Sequence, residues 1–252
     1  MVFFKKKYKT GRDGLSVETM MVGARLIAAA EPKNAVSEQF RTIRTNIDFA
    51  AVAKGNVKTL LVSSALPSEG KSNITANLAV VYAQQGKRVL LVDTDLRRPT
   101  VARTFGVTDN HGLTNYLADV NSDTGSIIRH TRMSTLDVVA SGPVPPNPAE
   151  LLASSRMTNL ITELRQQYDL IIFDVPPFLM VTDAQVLMSK VDGVAIVVSG
   201  RHTTKGALQR TVDILKLAEA PMLGFIYNDR NRKKNSGTGY GYGYGYGYGE
   251  TK

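Results

Sequence analysis

The sequence predicts an α/β fold, in which a doubly wound, mostly parallel sheet is flanked by helices and followed by a disordered C-terminal tail. From residue 57 onward, short apolar runs rich in β-branched residues alternate with helical segments, an order typical of parallel sheets. Runs such as VLLV, LIIF and VAIVV are apolar at every position, as expected for strands covered by helices on both faces. A chain of 252 residues is long enough to bury such a core.

The segment before the predicted sheet divides into two parts. Residues 1–34 show little periodicity and are predicted to form a basic N-terminal extension. Residues 36–53 are predicted to form an amphipathic helix, because apolar side chains recur there at spacings of three and four. These side chains are Phe40, Ile43 and Ile47. A folded domain is therefore expected over residues 35–231.

Six strands and four further helices are predicted within this domain. The strands cover residues 59–63, 89–92, 136–140, 170–173, 194–199 and 222–227. The helices cover residues 71–85, 149–167, 183–190 and 205–218. In doubly wound sheets ligands bind beyond the carboxyl ends of the strands, so functional residues are expected at that edge.

The formal net charge of +9 is concentrated near the two ends of the chain. The basic residues there are Lys5, Lys6, Lys7, Lys9, Arg12, Arg230, Arg232, Lys233 and Lys234. A basic terminus can be a solvated segment, a contact with anionic lipid or a membrane partner, or a contact with nucleic acid. Because no nucleic-acid-binding motif occurs in the sequence, a nucleic acid partner is not expected.

Cysteine usage and hydropathy exclude several classes of protein. The chain contains no cysteine, which rules out disulfide frameworks and thiolate metal sites. A signal peptide is not expected, because the N-terminal residues contain no apolar run long enough for one, and no apolar run reaches the roughly 20 residues needed to cross a bilayer. A cytoplasmic location is therefore expected, with any recruitment to the inner face of the membrane made through a partner or a surface contact.

The C-terminal segment 232–252 has low complexity. Its tyrosines stand at every second position with glycines between them: Tyr240, Tyr242, Tyr244, Tyr246 and Tyr248. Without aliphatic residues, the segment cannot offset the entropy lost on ordering, so a disordered tail is predicted. From the segment alone, an adhesive low-complexity tail without phosphorylation is favoured over a kinase substrate.

A phosphate-binding loop is predicted at residues 65–72, ALPSEGKS, between a strand and a helix. It fits the P-loop pattern G-x-x-x-x-G-K-[ST], except that Ala65 replaces the first glycine. Lys71 is expected to contact the β- and γ-phosphates of ATP, and Ser72 to offer its hydroxyl to Mg²⁺. The predicted nucleotide-binding residues are Pro67, Ser68, Glu69, Gly70, Lys71, Ser72 and Asn73. The expected fold is therefore of the P-loop NTPase type.

Three aspartates follow apolar runs and are predicted to complete this site. Asp93 and Asp95 end VLLVDTD, and Asp174 ends LIIFD. Mg²⁺ prefers one or two carboxylates beside substrate phosphates, although each aspartate alone could equally be a turn or helix-cap residue. Asp174 fits the second acidic element of P-loop NTPases. Of the other two, one could assist the metal and one could accept a proton from an attacking hydroxyl.

Four of these stretches together resemble the bacterial tyrosine kinases (BY-kinases) of capsule and exopolysaccharide systems, in the form where the kinase is a separate cytoplasmic chain. ALPSEGKS resembles the Walker A motif of that family, VLLVDTDLRRP its Walker A′ motif and LIIFDVPP its Walker B motif. The tyrosine-rich tail resembles its autophosphorylation cluster. EQFRTIRTNI and SGPVPPNPAELLAS also resemble family signatures, and the match runs from about residue 31 to the end.

The resemblance implies a role for each site residue. Lys71 and Ser72 would serve phosphate and Mg²⁺, Asp95 and Asp174 would hold the metal, and Asp93 would be the candidate base. Which of Asp93 and Asp95 does which remains open. Asn228 would contact the adenine. Three residues of the first predicted helix would form an inter-subunit contact that closes a ring, unless they are simply a solvated charged face: Glu38, Arg41 and Arg44.

The resemblance also implies partners, and it leaves one alternative function open. The expected partners are a membrane-embedded activator or polysaccharide co-polymerase, a phosphotyrosine phosphatase and further copies of the chain. The alternative is an ATPase switch or assembly scaffold like the partitioning ATPases, which share the fold. Those proteins carry an extra lysine early in the loop, and Leu66 stands at that position here, which argues against the switch.

Overall fold

The computed structural model describes residues 22–229, and every structural statement below concerns this part of the chain. The C-terminal segment predicted to be a tail lies outside the described residues, and so does most of the predicted N-terminal extension. The strands are β1 Thr59–Ser64, β2 Val89–Asp93, β3 Ile128–His130, β4 Leu136–Val139, β5 Leu170–Asp174, β6 Gly193–Ser199 and β7 Met222–Asn228. They form one sheet in the order β3-β4-β2-β5-β1-β6-β7.

The sheet is mostly parallel, which confirms the predicted fold class. Every neighbouring pair from β4 to β7 is parallel, and only β3 runs antiparallel to its neighbour β4. All six predicted strands are present. Strand β3 was not predicted, because two of its residues are only partly buried, His130 is exposed, and the three show no apolar pattern.

The helices cover both faces of the sheet. They are α1 Ile27–Ala30, α2 Ala35–Val52, α3 Lys71–Ala83, α4 Val101–Phe105, α5 Leu113–Ala118, α6 Pro148–Ala153, α7 Ser155–Gln167, α8 Asp183–Met188 and α9 Lys205–Leu217, with a 3₁₀ turn at Thr124–Ile127. Alternate strand residues enter two separate apolar clusters. Leu60 and Val62 of β1 pack with α1, α2 and α3, whereas Leu61 packs with α5 to α9 on the other face. Burial on both faces explains the continuous apolar runs.

The prediction of a single helix over residues 149–167 is wrong. The chain forms two helices there, α6 and α7, that meet at Ser154. The backbone of Ser154 has an extended ψ of 156°, and its hydroxyl accepts a hydrogen bond from the Met157 amide at 3.3 Å. It also donates to the Leu151 carbonyl at 2.6 Å. Serine thus serves as the N-cap of the second helix, a role for which its short hydroxyl side chain is suited. The helix predicted over 183–190 ends earlier, at Met188.

Helix α1 is tied to α3 by side-chain hydrogen bonds. The Ala28 amide donates to Oδ1 of Asn77 at 3.0 Å, and Nδ2 of Asn77 donates to the Arg25 carbonyl at 2.8 Å. Gln84 donates to the Ala28 carbonyl at 2.9 Å, and Ala28 is fully buried. The packed body therefore includes these residues, although they precede the predicted domain boundary at residue 34, and that boundary stays a prediction. Across residues 22–229, none of the helices has the length and apolar character of a membrane span.

Candidate active site

The predicted phosphate loop joins the carboxyl end of β1 to the amino end of α3. Gly70, which precedes the helix, has a φ of +88° and gives α3 no side-chain cap. Ser68 also has a positive φ, of 64°. The first amides of α3 are thus left for an anion, and the helix dipole favours negative charge at that point. Pro67 and Ser68 are exposed at the rim of the loop.

Lys71 brings together three of the residues that the sequence assigned to the site. Its Nζ lies 2.9 Å from Oδ2 of Asp95, 3.4 Å from Oδ1 of Asp174 and 3.1 Å from Oγ of Ser72. Burial lowers the pKa of Lys71, but the charges of Asp174 and Asp95 outweigh burial and raise the pKa overall. Lys71 is therefore a positively charged group at the N-terminus of α3.

Asp174 lies at the end of β5 with 1% of its surface exposed. Its Oδ1 accepts a hydrogen bond from Thr75 at 3.3 Å as well as from Lys71, whereas its Oδ2 is buried with no partner among the described residues. Burial raises the pKa of this carboxyl group, and Lys71 opposes the rise. A buried acceptor without a partner suits a cation or a water bound to one.

Asp93 is fully buried behind these residues, and its partners are backbone amides. Its Oδ2 accepts from Thr100 and Val101, both at 2.9 Å, and its Oδ1 accepts from Asp95 at 3.2 Å. Burial, followed by the charge of Asp174, raises the pKa of Asp93 to about 8. The side chain therefore fastens the loop between β2 and α4. Of the two aspartates in the DTD element, Asp95 is the one that contacts Lys71 directly.

Glu69 and Asn228 contact each other rather than lining an open surface. Nδ2 of Asn228, at the end of β7, donates to the Glu69 carbonyl at 2.8 Å. The Glu69 carboxylate is turned inward, where it accepts a hydrogen bond from the Leu66 amide at 2.9 Å and another from Thr203. The Asn73 carbonyl accepts from Asn77 at 2.9 Å. The predicted contact of Asn228 with adenine stays a prediction.

The three charged residues of α2 make contacts within the chain. Arg41 pairs with Glu38 at 2.5 Å and donates to the Pro32 carbonyl at 2.7 Å. Arg44 donates to the Val81 carbonyl of α3 at 3.0 Å. The predicted inter-subunit role of this face stays a prediction, and the tail tyrosines predicted to be phosphorylated lie outside the described residues.

Sequence reasoning left Arg97 without a role, and the structure gives it a defined partner. Its Nε and Nη2 donate to the two carboxylate oxygens of Asp183, at 2.9 and 3.1 Å. Asp183 is fully buried at the start of α8, whereas 43% of the Arg97 side chain is exposed. The pair fastens the loop that carries Asp95 to the helix that follows β5. The sequence offered only the RRP run after DTD as a signal.

Replacing Arg97 by methionine is expected to lower the free energy of unfolding by about 2–3 kcal/mol, because Asp183 would stay buried without a counter-charge. Because Arg97 is partly exposed, the expected loss of stability is smaller than the loss typical of breaking a fully buried ion pair. Chemical denaturation measures the effect. Adding Asp183→Asn to Arg97→Met removes the unpaired charge and should recover part of the loss. An Arg97→Met variant as stable as the unmodified chain would contradict a structural role for the pair.

Comparison with known proteins agrees with the geometry of the site. Residues 57–223 match the family model described as an AAA domain. The tyrosine-protein kinase YwqD of Bacillus subtilis (strain 168) is 46% identical over 209 residues, which cover 83% of this chain and 87% of YwqD.

Two solved structures compare the chain with a tyrosine kinase and with a related ATPase. The kinase domain of the Escherichia coli tyrosine kinase ETK is 34% identical with a TM-score of 0.78, covering 87% of this chain and 85% of that domain. The Pyrococcus furiosus cell division ATPase MinD is 25% identical with a TM-score of 0.61, covering 70% of this chain and 74% of MinD. The chain is thus more similar to the kinase than to the ATPase.

Proposed function

The chain belongs to the bacterial tyrosine-protein kinases, and from this premise we propose that it transfers the γ-phosphate of ATP to tyrosine hydroxyl groups, including those of its own C-terminal segment. The observation that carries the proposal is the contact of Lys71 with both Asp95 and Asp174 at the entrance to α3. A phosphate loop, a cation and two carboxylates are the groups that phosphoryl transfer requires.

Different residues of the site would bind the phosphates and the Mg²⁺ ion. The free amides at the start of α3 and the ammonium of Lys71 bind and orient the β- and γ-phosphates. Ser72, Asp95 and Asp174 would hold Mg²⁺, and the partnerless Oδ2 of Asp174 supports this assignment. When bound, Mg²⁺ would neutralise charge that develops on the phosphates.

The acceptor hydroxyl needs a base, since the pKa of tyrosine is about 10. Asp93 and Asp95 are the two candidates in the DTD element. The raised pKa of Asp93 suits a base, but its two oxygens are held by three backbone amides. Asp95 lies closer to the loop through its contact with Lys71. We assign Asp95 to the metal, which its contact with Lys71 beside the phosphate loop supports, and Asp93 to the base, as the resemblance implies.

We further propose that the kinase acts in capsule or exopolysaccharide synthesis and export. Its partners would be a membrane-embedded activator or polysaccharide co-polymerase, which recruits it from the cytoplasm to the inner face of the membrane, and a phosphatase that reverses its phosphorylation. Copies of the chain would assemble into a ring through the charged face of α2. The similarity to the ETK kinase domain supports the kinase activity, and the capsule or exopolysaccharide setting is what the family resemblance implies.

The destination of the γ-phosphate distinguishes the proposed kinase from the alternative, an ATPase switch. The similarity to the ATPase MinD is the reason to test that alternative. The purified chain is incubated with Mg²⁺ and γ-labelled ATP, with and without the cytosolic segment of a membrane partner. A kinase transfers label to tyrosine on protein, and we expect this result. Release of the label only as free phosphate, in both incubations, would instead identify an ATPase switch.

A further inference from the structure

Glu69 is an unusual residue within the phosphate loop. Its neighbours Pro67 and Ser68 are exposed, yet Glu69 itself has only 1% of its surface exposed. A carboxylate facing the bound phosphates would repel them. The inward orientation removes that repulsion, and it gives the side chain contacts with the body of the protein.

The carboxylate of Glu69 joins two segments of the chain. One oxygen accepts a hydrogen bond from the Leu66 amide at 2.9 Å, which closes the loop on itself. The other accepts a hydrogen bond from the hydroxyl of Thr203, in the segment between β6 and α9. The Thr203 oxygen accepts in turn from the Ser199 amide at 2.8 Å, so its donor and acceptor capacities are both used. Burial raises the pKa of Glu69, and the hydrogen bonds from Leu66 and Thr203 oppose the rise.

The backbone of Glu69 makes a third contact, with Asn228. Its carbonyl accepts from Nδ2 of Asn228 at 2.8 Å. The same amide nitrogen lies over Gly70, where a Cβ would be only 2.3 Å from it. Glu69 is therefore tied through its side chain to the segment after β6 and through its backbone to the end of β7.

The residues on either side of Glu69 explain why such fastening matters. Ser68 and Gly70 both have positive φ, of 64° and 88°. A left-handed serine is strained and persists only where its surroundings enforce it. Successive amides near left-handed residues can converge into a concavity that binds anions.

We propose that Glu69, Thr203 and Asn228 form a clamp that presets the phosphate loop, acting through Ser68 and Gly70 on the amides that receive the β- and γ-phosphates. The clamp residues position the loop and do not themselves contact phosphate. In this proposal, which rests on nucleotide binding at the proposed kinase site, Asn228 acts on the loop rather than on adenine. Leu66 contributes its amide at the position where switch ATPases carry a lysine.

The affinity of the full chain for phosphates tests the clamp without any measurement of kinase activity. Inorganic pyrophosphate, in the presence of Mg²⁺, is titrated as a competitor of a fluorescent ADP analogue. Because pyrophosphate has no adenine, its binding reports the phosphate and metal groups of the site without any contact to adenine. We expect Glu69→Ala to weaken pyrophosphate binding about tenfold and Thr203→Val to weaken it several-fold, the order expected for losing buried hydrogen bonds.

Two comparisons separate a clamp from general destabilisation. The double variant Glu69→Ala/Thr203→Val should bind no more weakly than Glu69→Ala alone, because Glu69→Ala already breaks the contact through which Thr203 holds the loop. Thr162→Val removes a hydroxyl that bonds the Thr158 carbonyl on α7, away from the loop, and should leave pyrophosphate binding unchanged. Glu69→Gln, which keeps one acceptor oxygen, should recover part of the affinity.

Asn228→Ala decides between the two roles of that residue, and it keeps the proposal testable if Glu69→Ala does not fold. A clamp predicts weaker binding of both pyrophosphate and ADP, whereas an adenine contact predicts weaker binding of ADP alone. Unchanged pyrophosphate affinity in folded Thr203→Val and Asn228→Ala would overturn the clamp. A chain that binds nucleotide with the expected variant effects but phosphorylates no tyrosine would refute the proposed function and leave the clamp standing.

Discussion

Replacing Lys71 by methionine is expected to lower the rate of tyrosine phosphorylation by on the order of 10³-fold, the loss typical of removing a preorganised charge from a phosphoryl-transfer site. Lys71 supplies the one ammonium that contacts both Asp95 and Asp174 in the described site. Without it, the charge that develops on the γ-phosphate loses its nearest protein cation. Methionine has a similar length, so the packing of the stem is largely kept. The rate of phosphotyrosine formation at saturating ATP and Mg²⁺ measures the effect.

Lys216→Met is the matched control for this prediction. Lys216 is exposed in the last turn of α9, so its replacement makes the same change in charge away from the phosphate loop. Its rate should equal that of the unmodified chain. If Lys71→Met phosphorylated tyrosine as fast as Lys216→Met, Lys71 would have no part in phosphoryl transfer.

Replacing the five tail tyrosines by phenylalanine should remove most of the phosphotyrosine that the chain forms on itself. Three of the four tyrosines among residues 22–229 are poor acceptors, because Tyr82, Tyr116 and Tyr168 are 1%, 6% and 8% exposed. Phenylalanine keeps the aromatic ring and removes only the hydroxyl that accepts phosphate. Immunodetection of phosphotyrosine after incubation with ATP and Mg²⁺ provides the measurement.

Tyr227 supplies the control for the tail variant. It is 65% exposed at the end of β7, so it is the most accessible tyrosine among residues 22–229. Tyr227→Phe alone should leave the signal nearly unchanged. A signal that survived in the five-tyrosine variant and disappeared with Tyr227→Phe would mean that the tail is not the main acceptor.

Much of the fold follows from local sequence, and its departures have local causes. The long strands are predictable because burial on both faces leaves continuous apolar runs, as in β5 and β6. Strand β3 has two partly buried residues and one exposed residue, so it gives no such pattern. The break between α6 and α7 depends on the Ser154 hydroxyl, which caps α7. The sequence does not show this break, because the helical spacing of apolar residues continues across Ser154.

The positions of those site residues that lie at the ends of strands are predictable from the sequence. Asp93 and Asp174 are register partners on adjacent parallel strands, so their proximity follows from the order of the sheet. The pairing of Arg97 with Asp183 joins residues 86 positions apart, and that of Glu69 with Thr203 joins residues 134 positions apart. No periodicity relates such residues, because their contact depends on how loops pack after the sheet has formed.

The most direct test of tyrosine kinase activity at the Lys71 site is the mass of the intact chain after incubation with ATP and Mg²⁺. The chain is measured with and without the cytosolic segment of a membrane partner, and fragmentation then locates each added phosphate. We expect up to five phosphates, on Tyr240, Tyr242, Tyr244, Tyr246 and Tyr248, and no detectable phosphate in Lys71→Met over the same incubation time. A chain that binds ATP and Mg²⁺ yet gains no phosphate on tyrosine under either condition would contradict this account.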